Sequence, residues 1–110
     1  MSHILRLFSL NDKIALETND EEWRKMMAVN LDGAFFMSRE FGKIMSEQKN
    51  GTTISVASIA GLKVVRPEHH IGYDVPKAGI VQLTRVLASK LAEKNIRVNA
   101  VSPGYTIHLF

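Results

Sequence analysis

The sequence predicts an α/β fold built on a parallel sheet, and three observations carry that prediction. Segments run helix, strand, helix, strand with short connections, an order that packs as a parallel sheet with right-handed crossovers. The strand segments, TTISVA (Thr52 to Ala57) and IRVNAV (Ile96 to Val101), are rich in β-branched residues. The two helical segments are long and repeat their apolar residues at helical spacing. All of this sits in 110 residues, a single domain at most. A chain of that length buries only about two-thirds of its unfolded surface, so its stability margin is thin.

The first ten residues mix Ile4, Leu5, Leu7, Phe8 and Leu10 with Arg6. They lack the long apolar core and small-residue cleavage site of a secretory signal, and read as a short buried strand. Thr18 and Glu21 then have capping-box spacing, and Asp20, Glu21 and Glu22 suit a helix N-terminus. Trp23, Met26, Met27, Leu31, Ala34 and Phe35 continue the helix, which is expected to reach about Gln48 and stop at Asn50-Gly51. Its second half is apolar all round (Phe35, Phe36, Met37, Phe41, Ile44, Met45). Such a helix is buried on all sides, so packing on a sheet and on a partner chain is expected. After the first strand comes a loop, Gly61 to His70, carrying Pro67. The second helix is expected over Val75 to Lys94, with Ile80, Val81, Leu83, Val86, Leu87 and Leu91 on its apolar side. Ser102-Pro103-Gly104 ends the second strand.

Composition narrows the function classes. There is no cysteine, which excludes disulfides, thiolate metal sites and a cysteine nucleophile and fits a cytoplasmic setting. The net charge is only +3 with the basic residues scattered, so a nucleic-acid partner is not expected. No apolar run approaches the ~20 residues of a bilayer crossing, so no membrane partner is expected either. The pair His69-His70 points in divergent directions without carboxylates at ligand spacing, and no metal is expected.

Three features point to a reactive site. Tyr73 and Lys77 stand four apart at the mouth of the second helix, on one face. A fixed ammonium beside a phenol favours the phenolate, which suits acid–base work at neutral pH; the same spacing is also common on ordinary helices. Ser58 follows the first strand at its carboxyl end, where open α/β sheets bind ligands, though a serine there also serves as a turn cap. Asn30 falls inside the apolar stripe of the first helix. A buried amide must find partners: neighbouring backbone, or a water or lysine that it holds in position.

Taken together, Asn30 in VNLDG, Ser58 in ASIAG, Tyr73 and Lys77 in YDVPK, and the closing RVNAVSPG resemble the short-chain dehydrogenases/reductases over about Asn11 to Thr106. The resemblance implies part of a Rossmann-like, doubly wound parallel sheet and an NAD- or NADP-dependent oxidoreductase acting on an alcohol or carbonyl. Tyr73 would be the acid–base residue and Ser58 would hydrogen-bond the substrate oxygen. Lys77 would favour the phenolate and bind the nicotinamide ribose. Asn30 would anchor a water linking Lys77 to solvent. Pro103 and Gly104 would line the nicotinamide side, with Thr106 just beyond. The segment Arg66 to Gly72 is similar to polyol or sugar-alcohol dehydrogenases, with 3-oxoacyl reductases next. A homo-oligomer paired through the two long helices is also implied.

Departures from the family pattern set further expectations. No glycine precedes Gly33, so there is no glycine-rich turn for a pyrophosphate, and the family's Asn-Ala-Gly is Asn11-Asp12-Lys13. Pro76 replaces the usual serine before the lysine, so the helix is expected to start at Asp74 or to shift the Tyr73–Lys77 geometry. Residues 1–110 are therefore expected to be a partial domain, the central and later part of the fold, inactive in isolation. The alternative is a silent fragment whose remaining capacity is association.

Overall fold

The computed structural model describes residues 18–64 and 71–105. The expected N-terminal strand, Asn11-Asp12-Lys13, His69, His70, Thr106 and the last four residues lie outside that range. Helix α1 spans Asp20–Met27, a π-helical turn follows at Ala28–Asp32, and α2 spans Gly33–Gln48. Strand β1 is Gly51–Val56, a 3-10 turn covers Ile59–Gly61, α3 is Ile71–Leu91 and β2 is Ile96–Val101.

The start of α1 corrects the expected cap by one residue. Asn19, in extended backbone, accepts from the Glu22 amide at 2.8 Å, so the box slides from Thr18–Glu21 to Asn19–Glu22. Asparagine caps at least as well as threonine, and this frame keeps Asp20, Glu21 and Glu22 in the first turn. At the other end α2 stops at Gln48 as expected, but through Lys49 rather than the glycine. Lys49 adopts φ 56° and its amide bonds Met45 O and Ser46 O. Gly51 instead opens β1, where a Cβ would collide with the Met45 side chain.

β1 and β2 pair in parallel, Gly51 opposite Ile96 through Val56 opposite Val101, and α3 connects them. A parallel pair needs such a crossover. One sheet face presents Ile96 and Val98, buried with Ala57 and with Ile80 of α3. These residues form a small core, since α3 packs mainly on β2. On the other face Ile54 is 64% and Val56 59% exposed.

One expectation about the helices depends on a partner chain, and one is revised. Among the described residues of α2 only Gly42 is buried, while Phe35, Phe36, Met37, Phe41 and Ile44 are 44–58% exposed. Within one chain the sheet covers one side of that helix, and burial of the rest depends on the expected partner chain. In turn α3 begins at Ile71, four residues before Val75, and carries Pro76 inside it. That proline forfeits the bond to the carbonyl four residues back, and its ring is fully buried, which offsets the loss. Tyr73 and Lys77 therefore both lie within a continuous helix, one turn apart.

Candidate active site

The carboxyl ends of the two strands are zipped together just beyond the sheet. Ala57 N donates to Val101 O at 2.8 Å and Ile59 N to Pro103 O at 3.0 Å. Between them sits Ser58, extended and 7% exposed. Its hydroxyl oxygen accepts from Ala60 N at 3.1 Å, capping the 3-10 turn and leaving its own proton to donate elsewhere. Gly61 closes that turn with Gly61 N to Ser58 O at 2.9 Å. It also rests against the backbone of Lys77 and Ala78. A Cβ added at Gly104 would come into ordinary contact with Ile59. The Ser58 turn, the Pro103-Gly104 segment and one turn of α3 are thus brought side by side.

Within α3, the Lys77 ammonium stands 5.4 Å from the Tyr73 ring centroid and donates to Val56 O at 3.1 Å. This long-range bond ties α3 to the last residue of β1. Tyr73 and Lys77 are both half-buried, an arrangement in which a long amine can shield its stem and keep its head reactive.

Asn30 lies in the π-helical turn between α1 and α2. Such insertions are rare and concentrate at functional sites. Its Nδ2 donates to Met26 O at 3.1 Å, the structural use of a half-buried amide. It also lines, with Lys77, a groove of about 540 Å³ between α2 and β1, whose walls include Ala34, Met37, Phe41 and Ile54. Ser58 and Tyr73 are not part of that lining. The fold therefore brings Asn30 to Lys77 across the groove and the Ser58 turn to Lys77 through Gly61. Two participants escaped the sequence reading. The Val56 carbonyl has no side-chain signal, and Gly61 is legible in the sequence only as the end of ASIAG and the start of a loop.

Comparison with known proteins gives concordant results. Residues 7–108 match the family model described as enoyl-(acyl carrier protein) reductase. The galactitol 2-dehydrogenase (L-tagatose-forming) of Cereibacter sphaeroides is 45% identical over 91 residues, covering 83% of this chain and 36% of that protein. The 3-oxoacyl-[acyl-carrier-protein] reductase of Synechocystis sp. is 33% identical over 94 residues, covering 86% and 37%. Among solved structures, a gluconate 5-dehydrogenase from Burkholderia cenocepacia in complex with NADP and tartrate superposes with a TM-score of 0.77 at 26% identity, covering 84% of this chain and 35% of that one. The chain spans about a third of the length of the relatives it matches.

Proposed function

The chain belongs to the short-chain dehydrogenase/reductase family, and on that premise we propose that it carries the proton-handling end of an NAD- or NADP-dependent oxidoreductase acting on a polyol. One observation carries the reading. The turn capped by Ser58 lies against the helical turn bearing Lys77, with Tyr73 one turn away on the same helix. The higher identity to a galactitol dehydrogenase than to a 3-oxoacyl reductase favours a polyol over an acyl substrate.

In alcohol oxidation Tyr73 takes the hydroxyl proton as the carbonyl forms, and returns it in the reverse direction. Ser58 donates a hydrogen bond to the same substrate oxygen, where charge develops. Lys77 supplies positive charge beside Tyr73, and Asn30 holds a water that relays protons from Lys77 to solvent. The residues present fit the nicotinamide end of the cofactor. Lys77 spends one recorded donor on Val56 O, and an ammonium has three, leaving two for ribose hydroxyls. A Cβ added at Gly104 would stand 3.7 Å from Ile59 Cδ1, its nearest neighbour among the described residues, so a flat ring could lie against this backbone beside Pro103; Thr106 belongs to the same proposed set. When bound, the nicotinamide supplies the hydride donor or acceptor.

For the pyrophosphate the fit is different. These 110 residues hold no glycine-rich turn to cradle it, so among them the cofactor finds partners at its nicotinamide end. Formation of NADH from galactitol and NAD by these residues should therefore rise in proportion to cofactor concentration through about 1 mM, a binding free energy weaker than about 4 kcal/mol. This replaces the expected inactivity in isolation with weak, non-saturating turnover, and absence of any galactitol-dependent NADH formation across that range contradicts the reading.

Self-association through the two long helices is also part of the proposal, supported by the apolar exposure of Phe35, Phe36, Met37, Phe41 and Ile44 on α2. Sedimentation velocity should show concentration-dependent growth beyond the monomer; a monomer at all concentrations contradicts it. A cytoplasmic location, supported by the cysteine-free composition, completes the proposal and is checked by fractionation. No helix among the described residues is long and apolar enough to cross a membrane.

A further inference from the structure

We infer that Gly61 and Gly79 are positioning residues, which set the spacing of the Ser58 turn and the Asn30 turn against the helical turn of Lys77. Neither glycine is present for its backbone freedom, because no glycine among the described residues has positive φ. Space is the requirement. A Cβ at Gly61 would stand 2.6 Å from Lys77 C and 2.7 Å from both Ala78 N and Lys77 O. All three are backbone atoms inside α3, where no rotamer change can relieve the clash. Carbon atoms settle at about 3.5–4.0 Å, so the turn would have to retreat from α3 by about 1 Å. Ser58 caps that turn through Ala60 N and would retreat with it.

On the next part of the same helix, a Cβ at Gly79 would meet Leu31 Cδ1 and Cδ2, each at 3.0 Å. Leu31 lies in the π-helical turn beside Asn30. Here the obstacle is the far end of a flexible side chain, which can swing aside. Gly61 meets the Lys77 backbone and Gly79 lies two residues beyond Lys77 on α3, one admitting the serine turn and the other the asparagine turn. The roles assigned to those turns rest on the proposed oxidoreductase reading; the spacing itself does not.

The test compares Gly61→Ala, Gly79→Ala and Gly42→Ala, the last adding a Cβ in ordinary contact with Leu91 at 4.0 Å. A misplacement of about 1 Å costs on the order of a hundredfold in rate. Gly61→Ala should therefore lower the maximal rate of galactitol oxidation about a hundredfold with the galactitol KM little changed. Gly79→Ala should lower it by less than about tenfold, and Gly42→Ala should leave it unchanged. A readout independent of turnover is the NMR spectrum of the full chain. Gly61→Ala should shift the Ser58 and Ala60 amides and the Lys77 ammonium, and Gly79→Ala the Asn30 side-chain amide, whereas Gly42→Ala should move none of them. Unchanged resonances in Gly61→Ala and Gly79→Ala overturn the inference, as does a parental rate in Gly61→Ala. Should Gly61→Ala fail to fold, the Asn30 resonance in Gly79→Ala decides. If the parent chain shows no turnover while the resonances move as expected, the oxidoreductase reading fails and the spacing role stands.

Discussion

On the proposed function, Tyr73→Phe should lower the rate of galactitol oxidation about a thousandfold, within the range general acid–base catalysis contributes. The substitution removes one oxygen and little else. Tyr73 is half-buried on α3, and phenylalanine keeps the ring against which the Lys77 ammonium stands at 5.4 Å. Lys77 keeps its bond to Val56 O, so the groove and the tie between α3 and β1 survive. Helix content and thermal midpoint should match the parent chain, which separates a chemical loss from an unfolding loss. A Tyr73→Phe chain that retains more than about a tenth of the parental rate would remove the phenol from the proton-transfer role.

Ser58→Ala carries two separable effects. Its hydroxyl is assigned to the substrate oxygen, and deleting one such donor costs roughly a hundredfold to a thousandfold in kcat. The same oxygen, on a buried serine, accepts from Ala60 N in a half-buried turn, and losing a cap of this kind costs about 1 kcal/mol of stability. The expected result is a rate loss of at least about a hundredfold together with a lowered urea midpoint. Ser58→Thr restores a hydroxyl and should recover the cap and part of the rate. If Ser58→Ala lowered the urea midpoint but left the rate intact, Ser58 would be a turn cap and nothing more.

Much of the fold was legible because the signals are local. Runs of β-branched residues mark β1 and β2 almost to the residue, and β2 is Ile96–Val101 as read. Where two local signals compete, the sequence decides less well. Thr18 and Asn19 are both good caps one position apart, and only backbone geometry selects Asn19. The proline reads as a first-turn residue, yet burial of Pro76 against its neighbours lets α3 start five residues ahead of it. A π-helical turn has no residue signature, because one inserted residue leaves the apolar stripe recognisable. Asn30 could be singled out as an amide needing partners, but its bond to Met26 O and its place on the groove could not.

The candidate site follows the same division. The residue types and intervals of Asn30, Ser58, Tyr73 and Lys77 are written in the sequence. The tie from Lys77 to Val56 O spans 21 positions and passes through a backbone atom, so no side-chain pattern announces it. Gly61 meets the Lys77 backbone only after the sheet and α3 have packed, a contact made by the absence of a side chain.

The central claim is that Ser58 and Tyr73 act on one substrate oxygen, and a double-mutant cycle on the rate of galactitol oxidation tests it most directly. Groups that act as a unit are strongly non-additive. The account predicts that Ser58→Ala/Tyr73→Phe is about as slow as the slower single variant. Losses that simply multiply, with each variant folded, would mean that the two hydroxyls serve separate places and would contradict it.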